Sequence, residues 1–156
     1  ITQVAGRAGR GLKKGEVIIQ TYNPESLAIT AASKYDYEGF FAEEVGFRKL
    51  MKYPPFSDLI QVQFIGENES EAEKLALECK DYLSKKEIDK SENEIFGPKG
   101  SHQISKEKDV FRYSILIKAS KGSRNKYIYY ISKYGEYVTS KTKLSFVIDV
   151  NPYSGF

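Results

Sequence analysis

The spacing of hydrophobic and polar positions changes along the chain, and each change predicts a different element. Residues 16–21 form a β-branched run, which is typical of a strand buried on both faces. The Asn-Pro pair at 23–24 predicts a helix start, because Asn caps helices and Pro suits their first turn. Asp36 predicts the cap of a second helix, which the proline pair at 54–55 ends. The first segment therefore has an α/β pattern.

Beyond residue 56 the pattern predicts a strand, a helix, two strands, a helix and a strand. Asn68 and Glu71 have capping-box spacing at the start of the first of these helices, and Ser123 is expected to cap the second. The strands are predicted at 58–65, 94–98, 111–119 and 144–150, with a polar excursion at 99–109. This βαββαβ order is the ferredoxin-like split βαβ arrangement. We therefore predict an α+β chain with two domains, 1–56 and 57–156.

The charge is distributed unevenly. The chain has 24 basic and 21 acidic residues, a net charge of +3. Residues 67–94 include ten acidic and five basic side chains, whereas 121–143 include six basic and one acidic. A weak overall bias with a concentrated basic segment permits nucleic-acid contact without requiring it.

Cysteine, histidine and hydropathy exclude several classes of site. Cys79 is the only cysteine and His102 the only histidine, so an internal disulfide and a structural zinc site are both excluded. Cys79 lies among apolar residues at helical spacing, which indicates a buried side chain. No stretch approaches the roughly 20 apolar residues of a membrane span. A reducing, cytoplasmic setting fits this composition.

The chain opens with a segment rich in glycine and arginine, Gln3-Val4-Ala5-Gly6-Arg7-Ala8-Gly9-Arg10. Arg7 and Arg10 are three apart, so they share one side of a helical turn, and guanidinium groups match phosphate oxygens bidentately. Gly6 and Gly9 let this turn approach a partner closely, and Gln3 can hydrogen-bond near a nucleotide. The pattern suits an arginine finger. A helix packed through small residues and a Gly/Arg RNA-binding element remain alternatives.

This segment resembles motif VI of superfamily 2 helicases, and the chain resembles the end of the primosomal protein N′ family, the PriA replication-restart helicases. The narrower resemblance is carried by 15–21, Tyr53-Pro54-Pro55-Phe56, Phe96-Gly97-Pro98 and 147–152. We therefore expect a fragment of a longer ATP-dependent 3′-to-5′ DNA helicase. The resemblance implies a partial RecA-like α/β lobe at 1–56 and an S10-like, ferredoxin-like domain at 57–156.

The resemblance also implies a divided ATP site. Arg7 and Arg10 would contact the γ-phosphate, with Gln3, Gly6 and Gly9 in the same site. This chain has no phosphate loop and no magnesium-binding Asp-Glu motif, so ATP and magnesium would be held mainly by the missing lobe. It also has no cysteine cluster, so zinc would be bound elsewhere in the parent protein. We expect no metal or cofactor in the fragment and no ATP hydrolysis by it alone.

The expected partners are forked or single-stranded DNA and, by resemblance, single-strand-binding protein and primosome proteins. Lys121, Arg124 and Lys126, around the start of the last helix, are candidates for DNA contact; a solvated helix face is the alternative. The strand at 16–21, cut from its sheet, is expected to leave an open edge for self-association. Two other functions remain open, a non-catalytic ferredoxin-like module that binds nucleic acid or protein, and another superfamily 2 motor.

Overall fold

The computed structural model describes residues 1–8, 15–104 and 109–152, without the side chains at 102–104 and 109. The chain divides into two compact units, Ile1–Leu50 and Met51–Phe156. The residues from Met51 to Phe56, which the sequence prediction assigned to the first domain, cluster with the second unit. Within the described ranges, no helix is both long and apolar enough to cross a membrane.

The first unit is helical wherever it has regular structure in the described residues. Its helices are α1 (Thr2–Ala5), α2 (Leu27–Ser33) and α3 (Tyr37–Leu50). The predicted start of α2 at the Asn-Pro pair is wrong, because the N-cap is Ser26. Asp36 does cap α3, since its Oδ1 accepts a hydrogen bond from the Gly39 N–H at 2.9 Å.

The predicted strand at 16–21 is not formed. Residues 15–20 have no regular secondary structure, and Val17, Ile18 and Ile19 are all exposed, Ile18 to 88%. A strand of this composition is stable only when neighbouring strands pair with it and other elements cover its faces. The described residues of the first unit contain no other strand to supply that pairing. The open strand edge expected for self-association is therefore missing from these residues.

The second unit has the predicted βαββαβ order. Its elements are β1 (Asp58–Gly66), α4 (Glu69–Ser84), β2 (Glu94–Ile104), β3 (Asp109–Ala119), α5 (Arg124–Lys141) and β4 (Ser145–Val150). The strands form one sheet in the order β2-β3-β1-β4, and every neighbouring pair is antiparallel. The chain is therefore α+β, as the sequence predicts.

The core lies between this sheet and its two helices. In β1 the alternate residues Ile60, Val62 and Phe64 are completely buried, as their spacing predicts. The apolar stripe of α4, which includes Cys79, is also buried. Its cap is the predicted one, because Asn68 Oδ1 accepts from the Glu71 N–H at 3.1 Å.

Strand β2 is longer than predicted. The Gly-Pro pair at 97–98 was expected to end it, yet the strand continues to Ile104. The register with β3 shifts between Phe96 and Lys99, and Gly97 has a φ of +94°, which favours glycine. The chain therefore bends locally and then resumes pairing. The polar excursion expected at 99–109 is shorter than predicted, and residues 105–108 lie outside the described ranges.

Candidate functional site

The glycine- and arginine-rich opening segment is only partly described. Gln3 lies in α1, Gly6 follows that helix, and Arg7 lies in the turn beyond it; all three are exposed. The turn is held by hydrogen bonds from the Gly6 N–H to the Thr2 carbonyl at 2.9 Å and from the Arg7 N–H to the Val4 carbonyl at 3.1 Å. Gly9 and Arg10 lie outside the described residues. That Arg7 and Arg10 lie on the same side of a helical turn therefore stays a prediction.

A cavity of about 460 Å³ lies beside α1. It is lined by α1 together with α2 and α3, through Ile1, Thr2, Ala28, Ala31, Ala32, Tyr35, Asp36, Tyr37 and Phe40. Gln3, Gly6 and Arg7 are the described members of the predicted ATP site, and none of them lines this cavity. Its lining carries no basic side chain, so it is poorly suited to a polyphosphate.

The three predicted DNA-contacting residues are grouped at the start of α5. Lys121 lies in the turn before this helix, and Arg124 and Lys126 lie in its first turn. All three side chains are exposed, and none forms an ion pair or side-chain hydrogen bond with the described residues. An α-helix N-terminus also attracts anions, because its first N–H groups have no partner within the helix. The group can therefore bind phosphate without breaking an existing contact.

Asn93 holds this start of α5 in place. Its side chain is buried, its Oδ1 accepts from the Ser120 N–H at 2.8 Å, and its Nδ2 donates to Ser123 Oγ at 3.1 Å and to the Asp89 carbonyl. Ser123 occupies the predicted N-cap position, but its side chain makes no capping hydrogen bond. The predicted position of the N-cap is confirmed, but the Ser123 hydroxyl accepts hydrogen bonds from Asn93 and from Ser120 Oγ, the latter at 3.0 Å, and does not bond to the helix.

A second cavity, of about 230 Å³, adjoins Asn93. Its lining combines three lysines with an apolar floor: Lys80, Leu83, Ser84, Lys86, Ile88, Lys90, Asn93, Ile95 and Tyr127. None of these nine residues is acidic. The sequence prediction missed this site because the lysines lie in the acidic stretch 67–94. A count of charges along the chain does not show which side chains the fold brings together in one cavity.

Two of these lysines are positioned by contacts. The ammonium of Lys86 lies 3.9 Å from the ring centroid of Tyr82 and 5.1 Å from that of Tyr130, a cation–π arrangement. Lys80 donates a hydrogen bond to the Gly97 carbonyl. Lys90 is exposed and has no ion pair or hydrogen bond with the described residues. One side of the cavity therefore has a free cation.

Tyr127 contributes a hydroxyl to the lining of this cavity. The residue is only 3% exposed, and no described residue hydrogen-bonds to its hydroxyl. Burial raises the pKa of its phenol above the ordinary value of 10.0. The group is therefore a neutral hydroxyl at physiological pH, able to donate one hydrogen bond and to accept others.

Cys79 is the only thiol of the chain. Cys79 is completely buried, and burial raises the pKa of its thiol to about 12. The thiolate, which is the nucleophilic form, is therefore scarce at neutral pH. In the described ranges no group of three or more His, Cys, Asp and Glu side chains is arranged to hold a metal ion.

Comparison with known proteins gives one consistent family. Residues 49–153 match the profile of the primosomal protein N C-terminal domain. The replication restart protein PriA of Synechocystis is 39% identical over 122 residues, covering 76% of this chain and 14% of that protein. Its counterpart in Chlamydia pneumoniae is 36% identical, covering 100% and 20%, and that in Bacillus subtilis is 34% identical, covering 98% and 19%. The chain thus spans a fifth or less of the length of these relatives.

Proposed function

Since the chain belongs to the family of the primosomal protein N C-terminal domain, we propose that it acts in replication restart as the C-terminal part of an ATP-dependent DNA helicase. Its own contribution is to hold single-stranded or forked DNA, in the cytoplasm, while the rest of the longer protein performs the ATP-driven step. The observation that supports this role best is the group of three unpaired cations at the start of α5, held on a folded domain by Asn93.

DNA binding follows from the chemistry of that group. Lysine and arginine displace counterions from phosphates, and this term does not depend on base sequence. A helicase that translocates must hold DNA of any sequence, so contacts of this kind fit the role. Lys121, Arg124 and Lys126 are the DNA-contacting residues in this proposal.

The ATP-dependent step belongs to the other unit. Residues 1–56 would be part of a RecA-like lobe in the longer protein, with Arg7 and Arg10 directed at the γ-phosphate and Gln3, Gly6 and Gly9 beside them. Such arginines stabilise the charge that develops during phosphoryl transfer. Magnesium and most of the ATP contacts would come from another lobe. Single-strand-binding protein and primosome proteins are the expected protein partners.

The DNA-binding role is tested with a triple variant, Lys121→Ala, Arg124→Ala and Lys126→Ala. Its affinity for a single-stranded oligonucleotide should fall, and the slope of log K against log salt should flatten by about 2, since each phosphate contact contributes about 0.7 for single strands. A matched control removes three other exposed lysines, Lys74→Ala, Lys141→Ala and Lys143→Ala. Equal slopes for the two variants would contradict the proposal.

The same preparations should show no DNA-stimulated ATP hydrolysis, and measurable hydrolysis would contradict the division of the ATP site.

A non-catalytic nucleic-acid-binding module is the second candidate function. The helical, strand-free character of residues 1–8 and 15–50 favours it, because a RecA-like lobe is built around a parallel sheet. The two functions differ in what precedes this segment in the longer protein. A phosphate loop and a cysteine cluster there would support the helicase, whereas a longer protein without them would support the module.

A further inference from the structure

We propose that the cavity beside Asn93 is a base-binding pocket, which takes one nucleotide of single-stranded DNA while neighbouring phosphates lie on its lysines. This inference rests on the proposed DNA-binding function and adds a specific site to it. This cavity of about 230 Å³ is called the lysine pocket, after Lys80, Lys86 and Lys90 in its lining.

The size and floor of the lysine pocket suit one flat ring. Its volume of about 230 Å³ lies below the range of about 300–1,000 Å³ that is typical of sites for larger organic ligands. Leu83 and Ile88 are buried, and Ile95 is half-buried, so the floor is apolar. An apolar floor favours the face of a base and disfavours a hydrated phosphate.

One polar group lies where the edge of a base can use it. Tyr127 is only 3% exposed as a residue, and its hydroxyl has no hydrogen-bond partner among the described residues, so a hydrogen bond there is left to water or a ligand. Every nucleobase carries hydrogen-bond acceptors or donors on its edge. A bound base can therefore take the place of water at this hydroxyl.

The charges around the pocket match a polyanion. Lys86 and Lys90 add two cations beside the apolar floor, and no acidic residue lines the cavity. Asn93 connects this lining directly to Ser120 and Ser123 at the start of α5. Asn93 therefore links the lining of the lysine pocket to the residues that flank Lys121 and precede Arg124. Cations at both places can bind phosphates of one strand, and this link favours DNA over an acidic protein segment.

The first test measures how much the lysine charges of the pocket contribute to DNA binding. A labelled oligothymidylate of about 12 nucleotides, within the range bound by single-strand-binding folds, is titrated with the whole 156-residue chain. The double variant Lys86→Ala and Lys90→Ala should raise Kd about tenfold and flatten the salt slope by about 1.4. The variant Lys141→Ala and Lys143→Ala, with the same loss of charge at the opposite end of α5, should bind like the wild type.

The second test asks whether a base enters. Tyr127→Phe should raise Kd for oligothymidylate about three- to tenfold, as expected for loss of one hydrogen bond, and should leave the Kd for an abasic strand of equal length unchanged. The wild-type chain should prefer the base-containing strand. Thermal unfolding followed by circular dichroism shows whether each variant is folded at the assay temperature.

The outcomes separate this inference from the broader function. If the triple variant at the start of α5 loses affinity but the lysine-pocket variants do not, the pocket is not a DNA site and the proposed function stands. If the wild-type chain binds no oligonucleotide, the proposed function fails and the inference fails with it. Equal affinity for abasic and normal strands would overturn base binding. Binding of poly-glutamate, a model for an acidic protein segment, is measured with the same variants. If the lysine-pocket variants lose affinity for poly-glutamate but keep their affinity for DNA, the pocket binds an acidic protein and the inference is overturned.

Discussion

Asn93 provides a direct test of how the fold positions the cationic start of α5. Its buried amide makes three hydrogen bonds, to the Ser120 N–H, Ser123 Oγ and the Asp89 carbonyl. Asn93→Ala removes all three. At about 1 kcal/mol for each net hydrogen bond, the free energy of unfolding should fall by about 3 kcal/mol. For a domain of about 100 residues this lowers Tm by roughly 12–24 °C.

The measurement is thermal unfolding by circular dichroism, with Asn125→Ala as the matched control. Asn125 is exposed on α5 and makes no side-chain hydrogen bond with the described residues, so its replacement should change the free energy of unfolding by less than about 0.5 kcal/mol. Oligonucleotide binding is measured well below the lowered Tm. The affinity of Asn93→Ala should also fall there, because Lys121 and Arg124 are no longer held by the Asn93–Ser120–Ser123 contacts.

A double-mutant cycle shows whether these contacts act together. Ser123→Ala removes the hydroxyl that Asn93 and Ser120 share, and its cost should overlap with that of Asn93→Ala. A coupling energy of about 0.5–3 kcal/mol is expected for residues in one hydrogen-bond network. Additive losses, or a loss below about 1 kcal/mol for Asn93→Ala, would refute the reasoning that this network fixes the start of α5.

Two further predictions concern single residues of the second unit. Asn151 has a φ of +57°, and its side chain binds the Leu59 N–H and the Asp58 carboxylate, each at 2.9 Å. Asn151→Ala should therefore destabilise the domain by about 1 kcal/mol more than Asn151→Gly, because glycine tolerates positive φ; equal Tm values would contradict this. Burial raises the pKa of Cys79 from 9.0 to about 12, so the unfolded chain loses its proton first and the free energy of unfolding should fall as pH rises above about 9. Cys79→Ala should lessen that slope, and an unchanged slope would contradict the assignment.

The second unit could be predicted largely from local patterns. Alternation in β1 and the helical spacing of apolar residues in α4 both report burial against a single sheet, and the structure confirms both. Asn68 caps α4 through contacts within four residues of sequence, so its role is visible locally. These features depend on short-range geometry, which the sequence records directly.

The sequence predictions failed where the structure depends on contacts with residues that are distant in sequence. Residues 16–21 have strand composition, yet a strand needs neighbours, and the described part of the first unit provides none. The lysine pocket combines residues of α4, of the following segment, of β2 and of α5. No periodicity predicts which of these lie together. Ser123 has the predicted N-cap position, but its hydroxyl makes no capping bond, and its partner Asn93 lies 30 residues away.

The segments that carry the family resemblance have a structural explanation in the second unit. Tyr53 lies under the ammonium of Lys118, which is 4.5 Å from its ring centroid and donates to the Met51 carbonyl at 3.1 Å. Asn151 closes the other end, since its backbone N–H also donates to the Leu59 carbonyl at 2.7 Å. One contact fixes the entry of the chain into the domain and the other fixes its exit from β4. In this chain these residues therefore stabilise the two ends of the domain, whereas the proposed DNA contacts lie at the start of α5 and in the lysine pocket.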